Sequence, residues 1–97
     1  MVISILQLII QLPESTSLKD KRREIKSLKE KLIRKYKLSV AEVDLQDSVG
    51  FAHLGAALVS NSRQHGESVL QKAVDFAEKN IYGRLMDVQI FSERYEQ

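Results

Sequence analysis

The sequence contains no cysteine, which excludes disulfide cross-links, thiolate nucleophiles and thiolate metal sites together. Histidine is nearly as scarce. His53 and His65 are the only two, and neither has a second histidine or a carboxylate at metal-ligand spacing. Glycine is sparse too, with four residues in 97, and none of them builds a glycine-rich phosphate loop. Neither Gly-x-Ser-x-Gly nor His-Glu-x-x-His occurs. Linkers, internal repeats and low-complexity segments are absent as well. The expectation is a non-enzymatic protein with no resident metal or cofactor.

What is present describes one domain, 1-97, long enough to bury a core without staples. Hydrophobic residues make up 43% and charged residues 29%, as in ordinary globular proteins and unlike a disordered tail. The first dozen residues are apolar but lack a basic n-region and a small-residue cleavage site. That run is also too short to span a bilayer, so it reads as a buried strand, with the cytoplasm as the expected location. The net charge of +2 hides a strong asymmetry. Between Leu18 and Lys37 there are ten Lys and Arg against three acids, or +7, while the rest of the chain carries five basic and ten acidic side chains, or −5.

The hydrophobic pattern alternates between two periods. Val2 to Leu12 is almost continuously apolar, the mark of a strand covered at least partly on both faces, and Pro13 ends it. Ser17-Leu18-Lys19-Asp20 is a capping box opening a long helix. Leu18, Ile25, Leu28, Leu32, Ile33 and Tyr36 form its apolar stripe. Leu38 to Leu45 reads as a second strand and Asp47 to Gly50 as a turn. Phe51 to Ser60 is a third strand, with Ala52, Leu54, Ala56 and Leu58 on one face and Phe51, His53, Gly55, Ala57 and Val59 on the other. Ser60-Asn61-Ser62 offers caps for a second helix, whose inner stripe is Gly66, Val69, Leu70, Ala73 and Ala77. Gly83 breaks that helix before a final strand around Met86 to Phe91. The order is βαββαβ. Right-handed crossovers place the first and third strands, the two most apolar, side by side with both helices on one face. The predicted fold is α+β: a ferredoxin-like sandwich with a four-stranded antiparallel sheet.

Two surfaces of such a fold have the chemistry to bind a partner. On the first helix Lys19, Arg23, Lys26, Arg34 and Lys37 share an arc of about 80°, with Glu30 among them. Such a stripe tracks phosphates along a nucleic acid and releases counterions as it binds. The plainer reading is a solvated face with Glu30 paired to Arg34 at i,i+4; the scarcity of interleaved acids favours the phosphate reading. Lys21, Arg22 and Lys29 fall at the margins of the apolar stripe. There all three snorkel to water or, in the other reading, Lys21 and Arg22 join Arg23 as a phosphate clamp near the helix start.

The other surface is the sheet face away from the helices, with Ile3, Ile5, Gln7 and Ile9 from the first strand, Phe51, His53 and Val59 from the third, and Leu85 and Phe91 from the fourth. Gly50-Phe51-Ala52-His53-Leu54 matches the centre of the third-strand motif of RNA-recognition domains, with His53 in an aromatic slot. The ends fail, because Val49 is not basic and Ala56 is not aromatic. Burial against a second copy or another protein suits so apolar a face better, with Ile3, Ile5, Ile9, Phe51, His53 and Phe91 as the interface. Acylphosphatases share the chain order, but their loop after the first strand is glycine-rich. Pro13-Glu14-Ser15-Thr16 here would repel an acyl phosphate.

Pro13 followed by Ser17-Leu18-Lys19-Asp20-Lys21-Arg22-Arg23, then Ser39-Val40-Ala41-Glu42-Val43-Asp44 and Val59-Ser60-Asn61-Ser62, resembles the YlxP-like family of small bacterial proteins (domain of unknown function 503). The resemblance spans essentially the whole chain. It implies a ferredoxin-like fold, a bacterial cytoplasmic setting, and genes near those for transcription–translation coupling and ribosome maturation. It carries no catalytic residues. The family often has Trp-Gln-Arg where this chain has Val49-Gly50-Phe51, so Phe51 is untypical, whereas Lys19 to Arg23 matches. The expected function is therefore binding of structured or ribosomal RNA, with Lys19, Arg22, Arg23 and Lys26 as principal contacts and Arg34 and Lys37 in support.

Overall fold

The computed structural model describes residues 1–96. Six elements follow one another: β1 Val2–Gln11, α1 Leu18–Tyr36, β2 Ser39–Asp44, β3 Phe51–Ser60, α2 Arg63–Asn80 and β4 Arg84–Arg94. The strands form one antiparallel sheet in the order β2-β3-β1-β4. The ferredoxin-like arrangement expected from the hydrophobic pattern is the one observed.

Strict alternation on the two central strands sets the layers. Val2, Ser4, Leu6, Leu8 and Ile10 of β1 are buried, as are Ala52, Leu54 and Ala56 of β3. These side chains meet Ile25, Leu28 and Leu32 of α1 and Leu70, Ala73, Val74 and Ala77 of α2 in one core cluster. Among the described residues no helix lies over the other face of the sheet. Ile3, Ile5, Gln7 and Ile9 are half-buried there beside His53, Gly55 and Ala57, with Phe51 and Val59 exposed.

Both helices start on serine caps. Ser17 Oγ accepts from the Asp20 N–H at 3.1 Å, and Ser62 Oγ accepts from the His65 N–H at 3.1 Å, each satisfying an amide the helix cannot. The carboxylate half of the first capping box is used differently, since Asp20 Oδ2 accepts from the Thr16 hydroxyl at 2.8 Å. Lys37 ends α1 in the left-handed conformation (φ 57°) with its N–H on the Ile33 carbonyl. At the start of α2, Gly66 lies directly over Ser4, whose Oγ bonds the buried Ser92 Oγ at 2.7 Å. A Cβ at position 66 would fall on that hydroxyl, so the helix approaches the sheet this closely only because the residue is glycine.

Two irregularities redirect side chains. The β1–β4 register shifts between Ile9 and Ile10, where Met86 is the extra residue, a β-bulge. Leu85 consequently faces the core beside Ile10, correcting its expected place on the open face, while Phe91 does lie outward opposite Ile5. A second bulge on β2 leaves Val43 extra, with Glu42 opposite the inward Leu54 and Asp44 opposite His53. Ile33, expected on the apolar stripe of α1, is 40% exposed.

Candidate nucleic-acid interface

The buried stripe of α1 is Lys21, Ile25, Leu28 and Leu32, a spacing of four, three and four that keeps one side of the helix toward the sheet. Lys21 thus occupies a core position and is 0% exposed. Its ammonium meets Glu42 Oε2 at 2.8 Å and donates to the carbonyls of Leu45 and Gln46 at 2.5 and 3.4 Å. The side chain neither snorkels to water nor belongs to a phosphate clamp. It ties the first turn of α1 to the end of β2, where Leu45 takes a left-handed conformation (φ 62°).

With Lys21 inside, the other cations of α1 are turned outward. Lys19, Arg22, Arg23, Lys26, Arg34 and Lys37 are all exposed. Among the described residues Lys21–Glu42 is the one ion pair within 4 Å, so the i,i+4 pairing of Glu30 with Arg34 is not formed. Lys19, Arg23, Lys26 and Arg34 run along the solvent side of the helix over about 22 Å at 1.5 Å per residue. Arg22 and Lys29 add a second row, bordering with Lys26, Ile25, Glu30 and Glu42 a groove of about 390 Å³.

The packing of the two helices extends this surface beyond anything the chain order shows. Tyr36 and Phe76 meet edge to face, centroids 5.9 Å apart at 75°, and the Lys35 ammonium sits 4.7 Å above the Phe76 ring. Lys72 and Lys79 of α2 lie on the same groove as Lys35, with Asp75 the one acid beside them. Lys72 and Lys79 are a helical heptad apart, a signal visible in the sequence, but only the docking of α2 beside α1 brings them to the end of the basic helix.

The space between the β1–α1 loop and the helix start has the opposite character. A small cavity of about 160 Å³ is lined by Glu14, Asp20, Glu24 and Arg23, with Leu12, Ser15 and Tyr82. Three carboxyl groups face one guanidinium, which opposes an anionic ligand. The Thr16 hydrogen bond, with a smaller contribution from the nearby Arg23, holds the Asp20 carboxyl below its ordinary value.

On the open sheet face, His53 Nε2 lies 2.8 Å from Gln7 Oε1. The expected interface residues Ile3, Ile5, Ile9, Phe51, His53 and Phe91 share this face. His65 is exposed in the first turn of α2. Among the described residues no three His, Cys, Asp or Glu side chains are grouped as a metal site requires, and no helix is long and apolar enough to cross a membrane.

Residues 3–90 match the model of a family described as "Protein of unknown function (DUF503)". The chain belongs to the DUF503 family. No curated protein matches this DUF503 sequence, but solved structures share its fold. An acylphosphatase from Bacillus subtilis aligns over 100% of this chain and 90% of its own with a TM-score of 0.57 and 12% identity. A de novo designed ferredoxin-fold protein, LFR1 1, aligns over 99% and 87% with a TM-score of 0.55 and 12% identity. At3g17210 from Arabidopsis thaliana aligns over 98% and 96% with a TM-score of 0.53 and 11% identity. At such identities the likeness is one of fold alone. Where this DUF503 chain carries the loop after β1, its residues are Pro13, Glu14, Ser15 and Thr16, next to the three-carboxyl cavity.

Proposed function

We propose that this DUF503 protein is a non-enzymatic accessory domain of the cytoplasm that binds structured RNA, ribosomal RNA in particular, through the exposed basic side of α1. The observation that carries the reading is the row of exposed cations at Lys19, Arg22, Arg23 and Lys26, continued by Arg34 and Lys37, none of which has an ion-pair partner within 4 Å among the described residues, although Arg23 also borders the three-carboxyl cavity. A basic surface kept only for solubility interleaves both signs; this one has Glu30 as the acid among its stripe. Cations without intramolecular partners lose little on meeting phosphate and gain from counterion release. Arginine adds planar bidentate donors, which suit phosphate oxygens on an irregular RNA surface.

The helix contacts would set position and affinity rather than base sequence. Lys35, Lys72 and Lys79, beside Tyr36 and Phe76, would extend the contact where a strand leaves the helix. The test is co-sedimentation with ribosomal subunits and with free ribosomal RNA at low and high salt. Retention at low salt that is lost at high salt supports the reading, and no retention at low salt refutes it.

A further inference from the structure

The face of the sheet that carries no helix has a shape as well as a polarity. Outward positions of the central strands are Ile3, Ile5, Gln7, Ile9 and Gln11 on β1 and Phe51, His53, Gly55, Ala57 and Val59 on β3. None is an acid, a lysine or an arginine, and the polar pair at the middle, His53 and Gln7, is joined by its own 2.8 Å contact. A satisfied pair of this kind is buried at little cost. The charged outward residues, Arg84, Asp87 and Glu93 on β4 and Asp44 on β2, lie along its two edges.

Two features on that face fit each other. On one side Ile5, Gln7, Ala41, Val43, Gly55 and Ala57 border a trough of about 380 Å³, floored by the small residues of β3. On the other, Phe91 stands on β4 with 58% of its surface exposed. The pairing register sets Phe91 opposite Ile5, Ile5 opposite Ala57 and Ala57 opposite Ser39, so ring and trough occupy one rung of the sheet. A two-fold axis running along the strands preserves the rung and exchanges the two sides. It carries the Phe91 of each molecule over the trough of the other.

We propose that this face is the interface of a homodimer in which two sheets pack face to face, with Phe91 of each copy seated in the Gly55–Ala57 trough of its partner. The area comes close to the lower end of what a second copy needs. Ten-residue strands of about 33 Å and a sheet width of about 19 Å, narrowed where β2 is short, give a footprint on the order of 550 Å² before side-chain relief. A stable interface of standard size buries about 600–1,000 Å² of accessible surface per partner. Large apolar side chains at the ends of the face, Val59 at 64% exposed and Phe51 at 39%, become covered in the same act. Both α1 helices remain on the outside of such a dimer, so the interface leaves the proposed RNA surface free.

Mass and mutation test the interface directly. Sedimentation equilibrium of the unmodified chain is expected to give twice the 11.1 kDa chain mass. Phe91→Ala is expected to weaken the dimer at least tenfold and Ile5→Lys to give the monomer mass, while circular dichroism of both stays native. A monomeric mass of the unmodified chain overturns the proposal. So does a dimer that both variants leave intact. RNA binding that responds to Phe91→Ala in a monomeric chain would reassign the face to base stacking, and overturns it equally.

Discussion

Replacing Lys21 with methionine keeps the length and apolar stem of the side chain and removes only the ammonium. Three acceptors then lose their donor: Glu42 Oε2, which is buried and meets no other donor among the described residues, and the carbonyls of Leu45 and Gln46. Removing one partner of a buried ion pair costs about 3–5 kcal/mol, because the other charge is left uncompensated. The Glu42 side chain is 19% exposed and water relieves part of that, which places the expected loss near the lower limit, about 3 kcal/mol. In a domain whose whole stability is about 5–10 kcal/mol, urea unfolding should show a midpoint lower by about 2 M at an m-value of about 1.5 kcal/mol/M. The double variant Lys21→Met/Glu42→Leu removes the orphaned carboxylate but not the orphaned carbonyls. It should sit about 1–2 kcal/mol below the parent, and thus above the single variant. A Lys21→Met protein within about 0.5 kcal/mol of the parent, or a double-mutant cycle with no coupling, would refute the placement of this ammonium in the core.

Gly66→Ala should destabilise by about 2 kcal/mol in the same assay, since a clash with Ser4 and disturbance of its bond to Ser92 outweigh the roughly 1 kcal/mol gain in helix propensity. Ser17→Ala should cost about 1 kcal/mol, because the Asp20 N–H loses its acceptor. The Asp20 carboxyl should titrate below 3.8, chiefly through the Thr16 hydroxyl bond, and carbon-detected NMR of Thr16→Val should show it moving up toward that value. Because the folded pKa is the lower one, ionised Asp20 favours the fold; its contribution is full above about pH 4 and is lost as pH falls through the folded value.

The fold was legible because both periods agree with the topology at β1 and β3, whose inward residues Leu6, Leu8, Ala52 and Leu54 were readable from alternation alone. The outward cations of α1 were equally readable from the helical wheel. Bulges were not, since no residue type at Met86 or Val43 marks the extra position, and Leu85 was displaced to the wrong face for that reason. Lys21 was misplaced because spacing puts it on the stripe while its charge argues against burial. Only the tertiary approach of Glu42, made inward-facing beside the β2 bulge, resolves that conflict. Lys72 and Lys79 belong to a different helix from the basic segment, and helix–helix docking decides that they join it. Ile33 lies about 100° around the helix from Leu32, off the side that Leu28 and Leu32 turn to the core, although Tyr36 in the same last turn packs against it.

The central claim is that unpaired cations of α1 hold RNA phosphates, and salt-dependent binding isolates it. Fluorescence anisotropy of a structured ribosomal RNA fragment should be followed from about 50 to about 300 mM salt for the parent and for Arg23→Glu/Lys26→Glu. Four principal contacts correspond to a slope of log affinity against log salt of about −3 to −4 in the parent. The reversed pair should flatten it by about 2 and weaken binding at low salt at least tenfold, about 1.4 kcal/mol. Equal affinity and equal slope in the two proteins would contradict the assignment of this helix to RNA.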